Sequence, residues 1–239
     1  MKKKVLIAAT NHDKHPVEGK NTGLWLSELA HSFQIFKAEG YSVDIVSPKG
    51  GKIPVDPKSL SILYLDKLTR RYCRNGEFID SLESSLSPPE IDWYNYDLMF
   101  YTGGHGALWD IPECSGLQEI GRKIYENGGI LSAVSHGVSG LLNIRLSNGT
   151  YLLSNKFVTG YSNMEETLSK MSRHVPFLLQ DELVKRGANY KKAPVPLRPF
   201  SLRCGRLVTG QNPMSTRAVA FSVLQLINNV APTGCNAIF

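Results

Sequence analysis

Short runs of consecutive apolar residues alternate with longer amphipathic segments along most of the chain. A continuous apolar run is typical of a strand buried on both faces of a parallel sheet, whereas apolar residues three or four positions apart indicate a helix. Residues 21–41 show the second pattern, with Leu24, Leu29, Phe33 and Phe36 at helical spacing before Gly40 ends the helix. The strand-like runs are KVLIAA (4–9), SVDIVS (42–47), YDLMFYTGGHG (96–106), ILSAVS (130–135), KFVTGYS (156–162) and GRLVTGQNP (205–213). The alternation predicts an α/β fold with a doubly wound, mostly parallel sheet and helices on both faces.

Residues 53–95 interrupt this alternation, because they contain no strong strand pattern. LSILYLDKLTRRYC (60–73) and FIDSLESSL (78–86) predict two helices, and the helix-breaking SPPE (87–90) follows. We interpret the segment as a small helical insertion or cap within a single domain spanning residues 1–239, a length that suits one large core better than two. The apolar side chains of LSILYLDKL either present a surface for client proteins or are buried against the domain, and we prefer the second because large exposed apolar patches are uncommon.

Composition argues against a membrane-spanning protein and gives little support to nucleic-acid binding. The apolar stretches fall well short of the roughly 18 residues that a transmembrane helix requires. The chain carries a net charge of +6, but its basic residues are dispersed as KKK (2–4), RR (70–71) and KK (191–192) without interleaved aromatic residues. We therefore expect neither a nucleic acid nor a membrane as partner.

The N terminus and the cysteines both favour a cytoplasmic location. The apolar run at 5–9 is shorter than the core of about 7–15 residues in a secretory signal, and polar residues follow it at once. The cysteines, which show neither CxxC nor Cys/His metal spacing, are Cys73, Cys114, Cys204 and Cys235. Such cysteines fit a reducing compartment, where we expect most of them to be free thiols.

Three glycine- or serine-rich segments follow predicted strands, namely TGGHGALWD (102–110), VSHGVSG (134–140) and TGYSNMEET (159–167). Ligands of parallel α/β sheets bind beyond the carboxyl ends of the strands, so we expect the functional site there. Ser135 occupies a sharp strand-to-helix turn, where free N–H groups and the positive end of the helix dipole favour a nucleophile and an oxyanion. An alternative is that Ser135 is simply the N-cap of a helix that begins near His136.

Glycines and one further histidine complete the candidate oxyanion and substrate-binding groups. Gly103 and Gly104 would let a backbone N–H approach a reacting oxygen, although a plain tight turn would explain them equally well. Gly137, just beyond the turn, is a candidate of the same kind. His105 is either a ligand of the substrate or an ordinary hydrogen-bonded histidine.

Acidic residues near these segments are candidates for proton transfer. Glu28 interrupts an apolar helix face, so its carboxyl is either buried with a raised pKa or reaches out to solvent. His136 needs an acidic partner to fix its tautomer, and Glu165 and Glu166 are the two candidates, although acids are also favourable in the first turn of a solvated helix. Glu28, His105 and His136 could gather a divalent ion, but no ligand spacing requires one, so we expect no metal and no cofactor.

Together these segments resemble the ThiJ/PfpI superfamily, related to class I glutamine amidotransferase domains, and most closely its branch of heat-shock chaperones and glyoxalase III enzymes. The resemblance implies a flavodoxin-like fold, usually dimeric, with a nucleophile elbow that reads A-V-C-H-G. Ser135 stands where that pattern has cysteine, and His136 is the neighbouring histidine. Glu166, in preference to Glu165, matches the acid that orients this histidine. Glu28 matches the carboxylate beside the nucleophile, and Gly104 matches the oxyanion-side glycine.

Three functions follow as hypotheses. The first is a glutathione-independent glyoxalase that converts a small reactive aldehyde, methylglyoxal, to lactate. The second is a stress-response holdase chaperone or a non-catalytic binding protein. The third is an amidase or peptidase using Ser135 and His136, although the GxSxG elbow of serine hydrolases has alanine here in place of its first glycine.

The serine at position 135 has two explanations. It is either an engineered Cys→Ser change or the natural residue of a relative with altered or lost catalysis. The intact remainder of the matched site favours the first. In both cases we expect low or absent glyoxalase activity, because a hydroxyl is far less acidic than a thiol, whose pKa is about 8.5.

Overall fold

The computed structural model describes residues 4–15, 19–228 and 234–238, and its centre is a seven-stranded sheet. The strands in chain order are β1 (Lys4–Ala8), β2 (Ser42–Val46), β3 (Leu98–Tyr101), β4 (Ile130–Val134), β7 (Ser201–Cys204), β8 (Leu207–Gly210) and β9 (Cys235–Ile238). Their spatial order is β2-β1-β3-β4-β8-β7-β9. The contacts from β2 through β8 are parallel, and β7 pairs antiparallel with both β8 and β9. The α/β fold class expected from the sequence is confirmed.

Helices cover both faces of this sheet. They are α1 (Leu26–Ala38), α2 (Lys67–Tyr72), α3 (Gly76–Glu83), α4 (Ala107–Asp110), α5 (Ser115–Glu126), α6 (Asn163–Leu168), α7 (Leu179–Lys185) and α8 (Thr216–Ile227). Helices α1 and α8 contribute to one apolar core, and α5 and α7 contribute to the other. Each core buries one side of the central strands, which fixes the sheet between two layers of helices.

The continuous apolar runs arise because each central strand supplies side chains to both cores. In β1, Leu6 and Ala8 belong to the α5 side, whereas Val5 and Ile7 belong to the α1 side. All four side chains are fully buried. Successive side chains of a strand point to opposite faces, so a strand covered on both sides needs apolar residues at every position.

One strand expectation needs correction, and one edge of the central sheet was not predicted. KFVTGYS (156–162) contributes only β5 (Phe157–Val158), which pairs in parallel with β6 (Asn189–Tyr190) in a separate two-stranded sheet. The antiparallel edge formed by β7 and β9 is not predicted by the alternation of apolar runs.

That edge also corrects the expectation about the cysteines. Cys204 and Cys235 are paired residues of β7 and β9 and form a disulfide, whereas Cys73 and Cys114 are free. The expectation that most of the cysteines are free thiols is therefore wrong for this pair.

The segment 53–95 is helical only in part. The first predicted helix begins at Lys67 rather than near Leu60, because the Asp66 carboxylate caps α2 by accepting a hydrogen bond from the Thr69 N–H. The preceding residues form a turn in which Ile62 is 81% exposed and Leu63 is 85% exposed, so the expectation of a fully buried cap is wrong there.

The second half of this segment does pack on the domain. Phe78 of α3 is fully buried, and its ring meets those of Phe33 and Tyr72 edge to face, with centroids 5.4 and 5.1 Å apart. Our interpretation of 53–95 as an insertion within one domain stays a prediction. Within the described ranges, no helix combines the length and the hydropathy that crossing a bilayer would take.

Candidate active site

Ser135 lies at the tip of a sharp turn directly after β4. Its φ is +57°, a left-handed conformation that is costly for a residue other than glycine. It is 1% exposed and is the first residue of the 3₁₀ turn Ser135–Leu141, whose N-cap is Val134. Ser135 is therefore not the N-cap of this turn, and its strained backbone presents the hydroxyl in a buried site.

The glycines after β3 allow this turn to approach the neighbouring strand end. A Cβ at residue 103 would lie 2.8 Å from the backbone nitrogens of both His136 and Gly137. Gly104 has φ +102°, and a Cβ there would lie 2.2 Å from the carbonyl oxygen of Gly23. Two strand exits thus pack backbone against backbone, as a site made of main-chain N–H groups requires.

Glu28, in the first turn of α1, is fully buried beside this contact. Its Oε2 accepts a 2.6 Å hydrogen bond from the Gly103 N–H, while Oε1 is buried without a hydrogen-bond partner. Burial raises the pKa of the Glu28 carboxyl to about 8, against smaller lowering effects of the Gly103 N–H and the nearby Ser135 hydroxyl. At neutral pH the group is therefore mostly protonated, and it ionises near pH 8.

Glu166 bridges two imidazoles. Its Oε2 lies 2.7 Å from Nε2 of His136, and its Oε1 lies 2.9 Å from Nε2 of His105. All three side chains are less than 10% exposed. Although burial opposes ionisation, the two histidines hold the pKa of Glu166 well below its usual range. Burial also lowers the pKa of His136, which favours the neutral imidazole.

Glu165 occupies a different environment. Its Oε2 accepts hydrogen bonds from the backbone N–H and the hydroxyl of Ser162, which makes a capping box for α6. Its Oε1 accepts from the Leu197 N–H at 3.0 Å and from Asn212 Nδ2 at 2.9 Å. The two neighbouring glutamates therefore separate into one that fixes α6 and one that contacts His136.

The candidate residues from four chain segments thus lie around one place at the carboxyl ends of β3 and β4. Ser135, Gly103 and Glu28 form one side of it, and His136, Glu166 and His105 form the other. Their catalytic roles stay predictions. His105, His136 and Glu166 also offer donor atoms that all lie within 4.8 Å of one another, a grouping that could hold a metal ion.

Aromatic residues that the sequence analysis did not single out surround the imidazoles. The Tyr161 ring lies 4.3 Å from that of His136, and burial raises the pKa of its hydroxyl. On the other side, the His15 ring lies 6.1 Å from that of His105 and 5.2 Å from that of Trp109. Tyr161 and Trp109 lie in two of the segments that the sequence analysis placed at strand ends, and this position was the available signal; His15 carries no comparable signal.

Comparison with known proteins places these features in a family. A model described as the DJ-1/PfpI family matches residues 22–226. The glutathione-independent glyoxalase HSP31 of Saccharomyces cerevisiae is 33% identical over 237 residues, which cover 95% of this chain and 99% of that protein. The crystal structure of glyoxalase III from Candida albicans has a TM-score of 0.86 and 30% identity, covering 92% of this chain and 95% of that one. The Francisella tularensis Rapid Encystment Protein 24 KDa has a TM-score of 0.89 and 33% identity, covering 93% and 97%.

The match to the family model, the near-complete coverage of these relatives and the shared fold agree with one another. The chain belongs to the DJ-1/PfpI family, as the motifs around Gly103, Ser135 and Glu166 indicate.

Proposed function

We propose that this chain is a glutathione-independent glyoxalase of the glyoxalase III type, whose substrate is a small reactive 2-oxoaldehyde such as methylglyoxal. The observation that carries the proposal is the burial of Glu28, with a pKa of about 8, beside a strained nucleophile position. Relatives named as glutathione-independent glyoxalases cover nearly the whole chain and support the same activity.

The reaction needs one nucleophile and one group that moves a proton. The side chain at 135 adds to the aldehyde carbon of methylglyoxal, and its proton passes to the new hydroxyl. In the fraction of molecules in which Glu28 is ionised, its carboxylate takes the hydrogen of that carbon as a proton and returns it to the adjacent carbonyl carbon, while the hydroxyl proton of the first carbon passes to the oxygen of the second. Water then hydrolyses the resulting ester or thioester and releases lactate. One carbon is oxidised and its neighbour reduced, so the balance requires no external redox partner.

His136 and Glu166 support the nucleophile in this proposal. The carboxylate holds the imidazole through Nε2, which fixes its orientation beside the turn. Backbone N–H groups near Gly103, Gly104 and Gly137 would stabilise the oxyanion that forms on attack. The N–H of Gly103 is bonded to Glu28 in this structure, so it becomes available only if that carboxyl moves.

Ser135 limits the rate. A thiol is a few per cent ionised at neutral pH, whereas a serine hydroxyl must lose its proton during the attack itself. Glu28 is mostly protonated at that pH, so it is a poor acceptor for this proton. We therefore propose that the Ser135 protein has low or absent activity, whether the serine is natural or replaces a cysteine.

The test compares three proteins that differ only at position 135. Lactate formed from methylglyoxal is measured for the unchanged chain, Ser135→Cys and Ser135→Ala, with circular dichroism as the control for folding. We expect Ser135→Cys to exceed the unchanged chain by at least about 100-fold and Ser135→Ala to give the background. A folded Ser135→Cys protein that forms no more lactate than Ser135→Ala would refute the proposal.

A holdase chaperone is the second candidate, because one specific surface favours it. Ile62 and Leu63 are more than four-fifths exposed, and Leu60 and Tyr64 beside them are about half exposed. An exposed apolar turn of this kind offers a contact for unfolded segments of other proteins.

The holdase candidate is tested by light scattering of a heat-aggregating enzyme mixed with the chain. The candidate is supported if the chain suppresses aggregation, if the double variant Ile62→Ser/Leu63→Ser does not, and if Val184→Ser still does. Val184 is an exposed apolar residue of α7 and serves as the control. No suppression at stoichiometric amounts would exclude it. A homodimer and a cytoplasmic location remain further parts of the proposal.

A further inference from the structure

Two imidazoles and one carboxylate converge on a single point from three separate parts of the fold. His105 follows β3, His136 follows β4, and Glu166 lies in the first turn of α6. We propose that these three side chains form a binding site for a divalent cation of the zinc class, such as Zn²⁺ or Co²⁺. The inference goes beyond the glyoxalase proposal, because it does not require a nucleophile at position 135.

The geometry of the donors carries this inference. The two Nε2 atoms lie 2.9 and 2.7 Å from different oxygens of the same carboxylate, so both rings point their nitrogens at one place. All donor atoms lie within 4.8 Å of one another. Tetrahedral metal–nitrogen and metal–oxygen bonds of about 2.0–2.2 Å place neighbouring donors roughly 3.4 Å apart, so the widest donor separation must shorten by up to about 1.4 Å when a cation binds.

The identity of the donors selects the cation. Two imidazole nitrogens with one carboxylate oxygen suit borderline ions such as Zn²⁺ and Co²⁺, whereas Mg²⁺ and Ca²⁺ prefer sites made wholly of oxygen. Three protein ligands would leave a fourth position for water, as in other zinc sites with three side chains. On binding, each Nε2 exchanges its hydrogen bond to Glu166 for a bond to the cation, and the Nε2 proton of a neutral ring moves to Nδ1 through solvent, so the imidazole stays neutral.

A second group of imidazoles lies beside this site. The His15 ring is 6.1 Å from that of His105, and the His12 ring stacks on Trp109 at 4.8 Å. Nε2 of His12 is buried without a hydrogen-bond partner. Both of these rings contact Trp109, the His15 ring at 5.2 Å, so the fluorescence of Trp109 is sensitive to changes at these imidazoles.

Occupation would change the chemistry of the site. A bound cation takes Glu166 away from His136 and fixes both imidazoles, so neither can orient or exchange a proton for the residue at 135. The proposed cation is therefore an inhibitor of any reaction that uses the contact between His136 and Glu166.

The experiment measures binding directly, and activity is not its readout. The purified chain is titrated with Zn²⁺ by calorimetry and with Co²⁺ by visible absorption and tryptophan quenching, and Mg²⁺ serves as the comparison. We expect one Zn²⁺ per chain, a cobalt spectrum of four- or five-coordinate type, and no binding of Mg²⁺ at the same concentrations. Ser135→Ala should bind equally well, which separates this result from the fate of the glyoxalase proposal.

Variants locate the ligands. His105→Ala and Glu166→Gln should each weaken Zn²⁺ binding at least about tenfold, with folding checked by thermal melts. His31→Ala is the matched control, because Nε2 of His31 also lies 2.7 Å from a carboxylate, that of Asp66, but without a second imidazole. The inference would be overturned if the chain did not bind Zn²⁺ at a 1:1 ratio. It would also be overturned if His105→Ala left Zn²⁺ binding intact, or if His31→Ala abolished it.

Discussion

Glu28→Gln should stabilise the folded protein, and the gain should grow with pH. The pKa of this carboxyl rises from its ordinary value of 4.5 to about 8 on folding, so the folded state keeps a proton that the unfolded chain releases. Stability is therefore undiminished below about pH 4.5 and is lost progressively as pH rises towards 8. Proton linkage at Glu28 lowers the free energy of unfolding by about 1 kcal/mol at pH 5, about 3 kcal/mol at pH 7 and about 5 kcal/mol at pH 9. Glutamine does not ionise, and its side-chain oxygen can still accept the hydrogen bond from Gly103.

Thermal melts of the unchanged chain and Glu28→Gln at several pH values between 5 and 9 measure this effect. Taking the difference in unfolding free energy between the two proteins cancels the contribution of every other titrating group. This difference grows by about 4 kcal/mol from pH 5 to pH 9, which should widen the difference in Tm by roughly 10 °C. Glu113→Gln, at an exposed carboxylate, is the control and should show a constant gap. A gap for Glu28→Gln that does not vary with pH would mean that Glu28 ionises normally, and the reasoning about its burial would be wrong.

Four further substitutions test the site and the disulfide at the edge of the sheet. Gly104→Ala should cost several kcal/mol or prevent folding, measured by urea denaturation, because its Cβ would lie 2.2 Å from the Gly23 carbonyl oxygen at a positive φ. Glu165→Gln should lower Tm, and Glu166→Gln should change the pH titration of His136 followed by NMR. A change in the His136 titration in Glu165→Gln but not in Glu166→Gln would contradict the separation of their roles. Cys204→Ser should lower stability by about 3 kcal/mol in oxidising buffer and leave stability under reducing conditions nearly unchanged.

The buried centre of the fold is predictable from the sequence because of its position between two helix layers. Strands such as β1 must be apolar at every residue to fill both cores, and this requirement leaves a clear pattern. The edges have no such requirement. β7 contains Arg203 and pairs antiparallel with β9, so nothing in its residues distinguishes it from a loop, and the pairing of Cys204 with Cys235 depends on that unpredicted register.

The turn before α2 shows a different limit. The apolar residues of LSILYL suggested a longer helix, but Asp66 offers its carboxylate to the Thr69 N–H and starts the helix there. Asparagine and aspartate can act as helix caps or as ordinary surface residues, and local sequence does not decide between them. The exposed side chains of Ile62 and Leu63 follow from that late start.

The location of the candidate site was predictable from the residues, whereas the choice of Glu166 over Glu165 as the partner of His136 followed only from the family resemblance. Parallel strands bring their carboxyl ends to one edge, so Gly103 and Ser135 had to be near each other. Glu165 and Glu166 are adjacent in a short helix and differ by about 100° in direction. Which of them meets His136 depends on how α6 docks, and that is set by the contacts of Glu165 with Leu197 and Asn212, far away in sequence.

The sharp turn after β4 is held by residues other than the one at its tip. A Cβ on Gly137 would lie 2.5 Å from the Tyr101 carbonyl oxygen, and one on Gly140 would lie 2.4 Å from the Tyr101 ring. These glycines let the chain settle against β3 and thereby impose the backbone angle at Ser135. The amino acid at position 135 can therefore change without changing the shape of the loop. A single codon change can exchange oxygen for sulfur here, and with it the reactivity of the protein, while the surrounding architecture stays as it is.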